Sequence, residues 1–267
     1  MSVEVMGIVN CTPDSFYDGG FHAEARTAID HGRLLVHEGA SVIDIGGESS
    51  RPGAKAVPLD LELERVIAVV EAMADAVRVS IDTVKAELAH AAIDAGATLL
   101  NDVSGQLHPV AAERGVAWVA MHRQGTADHM QDDPSYDDVV SEVHEAVLAM
   151  AHGARAAGVE EVFVDPGIGF GKTVEHNLKL LAHLPELVSQ AHKEGFKVTV
   201  GTSRKRFLSE LSPRFSPIPP EGRLPGTLAT ASWLALCGVD LIRVHDVIHT
   251  VRAVSLASHA QERGTSW

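Results

Sequence analysis

The sequence is poor in cysteine, aromatic residues and positive charge. Only two of its 267 residues are cysteines, Cys11 and Cys237, and they form no CxxC pair. A disulfide framework is therefore excluded, and reduced thiols in a cytoplasmic protein are the expected state. Lys and Arg total 22 against 36 Asp and Glu, a formal net charge of −14. We expect no nucleic-acid partner and no anionic membrane surface, because both need a basic footprint.

Long apolar runs are also missing. None reaches the roughly 20 residues of a membrane-spanning helix. Met1 leads directly into a strand-like stretch without a basic region before it, so we expect no secretory signal peptide. The length and the 45% hydrophobic content suit one large α/β barrel or two smaller domains.

Short apolar runs alternate with amphipathic, helix-like regions along the whole chain. The strand-like runs are residues 3–9, 42–45, 77–81, 98–100, 116–121, 162–164, 197–200 and 240–244. The helix-like regions are residues 23–38, 60–76, 84–95, 109–114, 135–157, 174–193, 203–211 with 224–237, and 246–261. This alternation predicts a (β/α)8 TIM barrel, with residues 1–267 forming a single domain. A doubly wound sheet is the alternative. The proline-rich stretch 212–225 is interpreted as an inserted loop.

Polar or ionisable residues follow nearly every strand-like run. In chain order they include Asn10, Glu48, Asp82, Asn101, His122, Asp165, Lys205, Arg243 and His245. The carboxyl ends of barrel strands meet at one rim, where barrel enzymes hold their active sites. Each residue alone also has an ordinary explanation, and Asp44 and Asp102 are better explained as supporting or turn residues. Their recurrence after so many runs predicts one shared site.

Two local patterns need separate interpretation. The glycine-rich stretch 165–173 looks like a phosphate-binding P-loop, but only three residues separate Gly167 from Gly171, where that motif needs four. We therefore do not expect a Walker-type ATPase. Arg204, Lys205 and Arg206 stand at a predicted helix start, where positive charge opposes the helix dipole. An anion in a site would explain them.

Seven blocks resemble the dihydropteroate synthase family and occur in that family's order. They are GIVNCTPDSF at 7–16, DIGGESSRPG at 44–53, SIDT at 80–83, NDVSG at 101–105, DPGIGFGK at 165–172, SRKRF at 203–207 and RVHDV at 243–247. The resemblance covers residues 6 to about 254. It implies a pterin-binding TIM barrel, usually a homodimer, that acts as a transferase in folate biosynthesis. Such an enzyme condenses 6-hydroxymethyl-7,8-dihydropterin diphosphate with 4-aminobenzoate, giving 7,8-dihydropteroate and diphosphate, with Mg²⁺ as cofactor.

The resemblance also implies individual roles. The implied pterin-binding residues are Asp82, Asn101, Met121, Asp165, Lys205 and Arg243. The implied diphosphate-binding residues are Asn10, Arg51, Arg243 and His245, with Asn10 also the Mg²⁺ ligand. The implied aminobenzoate pocket is Phe16, Ser50, Pro52 and Phe170. The implied catalytic residues are Asp82, Lys205, Arg243 and His245. Carboxylate and amide oxygens suit the guanidine-like pterin edge, and Asp82 is suited to stabilising a pterin-methyl cation.

Loops 11–22 and 46–57 are expected to be mobile and, by the resemblance, to close over bound substrates. Arg206 departs from some family members, which carry a serine there that helps bind the aminobenzoate carboxylate. A backbone N–H at this helix start is expected to replace that contact. Two alternatives share the pterin-reading pattern, a corrinoid methyltransferase barrel and a non-catalytic pterin-binding paralogue. Because Arg51, Lys205, Arg243 and His245 are all present, the sequence favours the transferase.

Overall fold

Eight parallel strands form the centre of the molecule. The computed structural model describes residues 3–11, 21–48, 57–126, 129–211 and 217–264, with backbone only for residues 21–24. The strands are β1 (Glu4–Asn10), β2 (Val42–Gly46), β3 (Arg78–Asp82), β4 (Leu99–Asp102), β5 (Ala117–Met121), β6 (Val162–Asp165), β7 (Lys197–Val200) and β8 (Leu241–Val244). Each pairs in parallel with the next, and β8 pairs with β1 to close a barrel. The predicted (β/α)8 barrel is confirmed, and the doubly wound alternative is wrong because an open sheet would leave two strand edges.

Helices cover the outside of the barrel. They are α1 (Phe21–His37), α2 (Leu59–Ala74), α3 (Ala86–Asp94), α4 (His108–Arg114), α5 (Val139–Ala156), α6 (Val174–Ala182), α7 (Leu184–Lys193), α8 (Phe207–Glu210), α9 (Leu224–Leu236) and α10 (Val247–Arg263). Parallel strands need such crossover connections, which bury the sheet's outer face. Within the described part of the chain, no helix is both long and apolar enough to cross a membrane.

Three predicted helical regions differ from the structure for local reasons. The region 174–193 is two helices, because Pro185 in the first turn of α7 cannot continue the helix before it. The region 203–211 shrinks to α8, because Arg204 adopts a left-handed backbone with φ 56°. Helix α5 begins at Val139 rather than at residue 135, since the Asp138 carboxylate caps it by accepting from the Val140 N–H at 3.1 Å.

The predicted insertion 212–225 is only partly described. Residues 212–216 lie outside the described part of the chain. The insertion then forms a short 3-10 turn, Pro220–Arg223, that leads directly into α9. The Arg223 side chain donates from Nε to the Ile218 carbonyl at 2.9 Å and from Nη1 to the Arg204 carbonyl at 2.8 Å. The insertion therefore ends by bracing the backbone beside Lys205.

The barrel interior changes character from one end to the other. Side chains two positions apart on a strand face the same way. An apolar interior residue is followed two positions later by a polar one on four strands, in the pairs Val42 and Asp44, Leu99 and Asn101, Phe163 and Asp165, and Leu241 and Arg243. The interior is therefore apolar toward the amino ends of the strands and charged toward their carboxyl ends. This gradient places a polar site at one mouth.

Candidate active site

The strand register brings several predicted residues to the same level of the barrel mouth. Asn10 lies opposite Gly46, Gly46 opposite Asp82, and Asp82 opposite Asn101. On the next part of the wall, Met121 lies opposite Asp165. All are the last or next-to-last residues of their strands. The predicted convergence at one rim is thus a consequence of barrel closure.

Arg243, on β8, joins two carboxylates at this mouth. Its Nε donates to Asp44 Oδ2 at 2.6 Å, and its Nη2 donates to Asp82 Oδ2 at 2.8 Å. The same Asp44 oxygen accepts from Asn101 Nδ2 at 3.0 Å. Three predicted pterin-binding residues, Asp82, Asn101 and Arg243, therefore belong to one network that also includes Asp44.

Asp44, expected from the sequence as a supporting or turn residue, contacts two of the predicted pterin-binding residues. It is fully buried, and it orients both Asn101 and Arg243. Its Oδ1 atom is buried without a hydrogen-bond partner among the described residues. The signal is present in the sequence, since Asp44 stands two positions after the buried Val42 and so shares its inward direction. Asp44 acts as a positioning residue for the groups around it.

Burial shifts the pKa values of ionisable side chains at the barrel mouth. Desolvation raises the pKa of Asp82 to about 7, although the Arg243 guanidinium opposes this shift. Desolvation also raises the pKa of Asp165, against the attraction of Lys205. Burial would lower the pKa of Arg243, but Asp44 and Asp82 outweigh it and the net direction is upward. Such perturbed groups around one cavity are typical of a functional site.

Asp165 and Lys205 meet at the glycine-rich turn after β6. Asp165 Oδ1 accepts from the Gly167 N–H at 2.7 Å. Lys205 Nζ donates to the Ile168 carbonyl and lies 4.5 Å from the centroid of the Phe170 ring. Burial lowers the pKa of Lys205 to about 8, partly offset by Asp165. Phe170 also packs against the interior cluster that contains Met121, so both residues form one apolar wall beside a cation.

The three cations of the SRKRF block do different work. Arg204 makes a two-point contact with Asp246, from Nε at 3.0 Å and from Nη2 at 2.6 Å. Arg206 pairs with Glu210, one turn ahead, at 3.0 Å. A site anion is therefore not needed to explain either arginine, and Lys205 alone of the three reaches the mouth.

His245 is held in place by Ser203. The Ser203 hydroxyl oxygen accepts from the His245 backbone N–H at 3.1 Å and lies 2.9 Å from Nδ1 of the same residue. Ser203 therefore contacts His245 at both its backbone and its ring and fixes the direction of the imidazole. Nothing in the sequence pattern singles out Ser203 for this contact.

The remaining predicted residues fall into two groups. Asn10 ends β1 at the mouth and is half-buried. Phe16, Ser50, Arg51 and Pro52 lie in segments 12–20 and 49–56, outside the described residues.

The glycine-rich turn tolerates no side chain at Gly171. This residue has φ 63°, and a Cβ there would lie 2.3 Å from the Gln124 carbonyl oxygen. Gly115 has the same φ of 63°, but a Cβ there meets no atom within 4 Å. We expect Gly115→Ala to cost only the backbone strain, about 1 kcal/mol, and Gly171→Ala to cost about 3 kcal/mol or more. Urea unfolding of both variants measures this difference, and equal losses would mean that the turn relaxes around the methyl group.

Comparison with known proteins identifies similar chains. A family model described as pterin binding enzyme matches residues 6–245. The dihydropteroate synthase of Mycobacterium leprae is 43% identical over 265 residues, covering 95% of this chain and 92% of that protein. The solved structure of Xanthomonas albilineans dihydropteroate synthase with 4-aminobenzoic acid is 44% identical, with a TM-score of 0.88 and coverage of 97% and 93%.

Two further structures carry other ligands. The same Xanthomonas albilineans enzyme in complex with 7,8-dihydropteroate superposes with a TM-score of 0.84 at 40% identity, covering 97% of this chain and 94% of that one. The Yersinia pestis dihydropteroate synthase in complex with a sulfonamide drug superposes with a TM-score of 0.88 at 40% identity, covering 98% and 95%. The similarity therefore extends over nearly the whole length of each chain.

Proposed function

This chain belongs to the dihydropteroate synthase family of pterin-binding enzymes, and from that premise we propose how its barrel mouth carries out the family's reaction. The chain is a transferase that condenses 6-hydroxymethyl-7,8-dihydropterin diphosphate with 4-aminobenzoate, forming 7,8-dihydropteroate and diphosphate in folate biosynthesis. The comparisons favour neither the corrinoid methyltransferase nor the non-catalytic paralogue. The observation that carries the residue assignment is the Arg243 network with Asp82, Asp44 and Asn101.

The pterin ring binds at the floor of the mouth. Its guanidine-like edge offers N–H donors, and Asp165 and Asn101 provide matching oxygens. The Asn101 amide nitrogen is committed to Asp44, so its oxygen is the atom presented to a ligand N–H. Lys205 donates to the acceptor side of the ring, Arg243 lies against its face, and Met121 is an apolar wall.

Asp82 stabilises the charge that develops on the pterin. The C–O bond breaks with its electron pair leaving on diphosphate, and the aminobenzoate nitrogen then forms the new C–N bond and loses a proton. Two carboxylates, Asp44 and Asp82, surround one guanidinium, so the network carries an excess of negative charge that favours a cation. A charge held in place before the reaction needs no reorganisation during it.

The departing diphosphate needs positive charge and hydrogen-bond donors. Arg243, Arg51 and His245 supply them, and Asn10 would hold Mg²⁺ through its amide oxygen. Magnesium keeps several waters and binds through few protein oxygens plus substrate phosphates. In the described part of the chain, no group of three or more His, Cys, Asp or Glu is placed to hold a metal ion. A single amide oxygen at the mouth fits that ligand set, and a bound ion would supply positive charge to the leaving group.

The aminobenzoate enters above the pterin, against Phe170 and beside Lys205. Phe16, Ser50 and Pro52 complete this pocket in our proposal, although they lie outside the described residues. The Yersinia pestis relative has been solved with a sulfonamide drug. We infer that the same pocket governs sulfonamide binding in this protein.

A homodimer in the cytoplasm is part of the proposal. Helices α9 and α10 leave apolar side chains on the surface, with Trp233 43% and Leu256 73% exposed. Such side chains on neighbouring helices favour burial against a second copy. Light scattering on the purified protein measures the molar mass in solution, which should be that of two chains.

A product assay tests the proposed activity. We expect the purified protein, given the pterin diphosphate, 4-aminobenzoate and Mg²⁺, to form 7,8-dihydropteroate detectable by mass spectrometry. Reactions lacking either substrate serve as controls, and a dihydropteroate synthase such as that of Mycobacterium leprae is assayed in parallel. Absence of product where the relative succeeds would leave the non-catalytic paralogue as the better description.

A further inference from the structure

The turn between β6 and α6 has no regular secondary structure, yet side chains hold every one of its central carbonyls. Five consecutive carbonyl oxygens, from Gly167 to Gly171, each accept from a side-chain donor. The donors are Lys172 to Gly167 at 3.0 Å, Lys205 to Ile168, Gln131 to Gly169 at 2.5 Å, Lys172 to Phe170 at 3.0 Å and Tyr136 to Gly171 at 2.8 Å. We call residues 167–171 the carbonyl turn. Side-chain hydrogen bonds hold the carbonyl turn, in place of the backbone hydrogen bonds of a helix or sheet.

Lys172 is the only donor in this set that serves two of the five carbonyls. Its side chain is directed inward and the residue is 3% exposed, which is unusual for a lysine. Nζ lies 3.0 Å from three acceptors, the carbonyls of Gly167 and Phe170 and Nδ1 of His122. An ammonium has three N–H donors, so this geometry uses all of them. Lys172, which stands where a P-loop would have its phosphate-binding lysine, therefore faces into the protein.

The charges around Lys172 agree with a donor role. Burial lowers the pKa of His122 to about 4, and Lys172 adds to that effect, so His122 is neutral and accepts at Nδ1. Burial also lowers the pKa of Lys172 to about 7, against the attraction of Asp165, and the protonated form is the one that has the three donors this geometry uses. Burying an amine is costly unless its hydrogen bonds are complete. A methionine would fill the same space without that cost. The amine therefore contributes directional hydrogen bonds that fix the positions of the carbonyls it contacts.

We propose that Lys172 is a positioning residue for the second substrate, because it holds the two carbonyls that determine where Phe170 stands. The inference rests on the proposed function and extends it to a residue that touches neither substrate. The Phe170 carbonyl bonds Lys172 directly, and the Phe170 N–H donates to the Gly167 carbonyl at 3.0 Å. Both ends of the Phe170 residue are therefore tied to atoms that Lys172 holds.

The two substrates depend on this turn unequally. Asp82 and Asn101 are on β3 and β4, and Asp165 ends β6, so the backbone of the pterin floor is built on strands. Only the Asp165 carboxylate also contacts the turn, by accepting from the Gly167 N–H. Phe170, the aminobenzoate wall, is on the carbonyl turn. Lys205 contacts the turn through the Ile168 carbonyl but is also attracted to Asp165. Loosening the turn should therefore displace the aminobenzoate site and leave the pterin floor in place.

The test is Lys172→Met in the full-length protein. We expect the KM for 4-aminobenzoate to rise roughly tenfold to a hundredfold, as for loss of buried hydrogen bonds to a charged donor. The dissociation constant of the pterin diphosphate, measured by calorimetry without aminobenzoate, should change less than about threefold. Amide hydrogen exchange should accelerate at Phe170 and not at the strand residues. The matched control is Lys179→Met, since Lys179 lies on the surface of α6 with 56% of its side chain exposed.

Other results overturn the proposal. One is a folded Lys172→Met protein with an unchanged aminobenzoate KM, and another is equal weakening of both substrates together with a lower Tm, which would mean a purely structural lysine. If Lys172→Met does not fold, Tyr136→Phe is the second variant, because it removes only the hydrogen bond to the Gly171 carbonyl. It should raise the KM for 4-aminobenzoate about threefold. No rise in that KM would contradict the proposal. If the wild type forms no dihydropteroate, the proposed function fails, and hydrogen exchange at Phe170 still decides the role of Lys172.

Discussion

Replacing Asp82 with asparagine should lower kcat about a hundredfold to a thousandfold while changing pterin affinity only a few-fold. Asparagine keeps the size of the side chain and can still accept from Arg243 Nη2, which donates to Asp82 at 2.8 Å. It loses the negative charge that faces the developing pterin cation. Charge that acts only in the transition state affects kcat more than ground-state binding. Steady-state kinetics and calorimetry with the pterin diphosphate separate the two effects.

The pH profile gives a second measure of the same residue. Burial raises the pKa of Asp82 to about 7, and only the ionised carboxylate can stabilise a cation. In the wild type, kcat/KM should therefore rise with pH through about 7, because this ratio reports the free enzyme. The rise should be absent in Asp82→Asn. Asp165→Asn is the matched control at the same mouth, expected to weaken pterin binding first. An unchanged kcat in Asp82→Asn would remove the proposed role.

Replacing Arg243 with methionine should destabilise the protein by about 3 kcal/mol, the lower part of the range for breaking a buried ion pair. The guanidinium contacts Asp44, which is fully buried, and Asp82, which is 11% exposed. Without it, two carboxylates face each other with no cation between them. About a quarter of the Arg243 side chain is exposed, which is why the lower figure applies. Urea unfolding at constant salt measures the loss.

The loss should depend on pH in a defined direction. Without Arg243, nothing offsets the burial and the Asp44 charge that already raise the folded-state pKa of Asp82 above its unfolded value. The folded state then binds more protons, so its stability declines as the pH rises through that raised pKa. The deficit of Arg243→Met should be larger at pH 8 than at pH 5, and adding Asp44→Asn should recover part of it. Arg114→Met, which breaks the surface pair with Asp94, should leave the unfolding midpoint nearly unchanged. If the loss of stability in Arg243→Met does not change with pH, it comes from lost packing rather than from the unpaired carboxylates.

Much of the architecture is set by short-range pattern. The apolar runs locate each of the eight strands within two residues at either end, because a buried parallel strand is a short apolar run whatever its neighbours are. Helix ends are less well predicted. The break at Pro185 obeys a general rule for proline, whereas the left-handed Arg204 has no comparable sign in the sequence. The family resemblance names most of the residues that the structure brings to the mouth.

The residues that hold others in place are harder to foresee. From the sequence, Asp44 is assigned a supporting or turn role, and Lys172 is given no role of its own, although it ends both a rejected P-loop pattern and a family block. Both are polar residues whose partners come from remote positions, with Asp44 bonding Arg243 at a separation of 199 residues and Lys172 bonding His122 at a separation of 50. Ser203, which orients His245, is of the same kind.

By itself the sequence determined the alternation of strands and helices, the polar residue at the end of nearly every strand, and the family. Those features are local, since they depend on the order of apolar and polar residues within one run of the chain. Only the tertiary structure decided which polar groups meet and which of them bond to each other. That choice depends on the closure of the barrel between β1 and β8, which brings the two ends of the chain together and turns Arg243 toward Asp44 and Asp82.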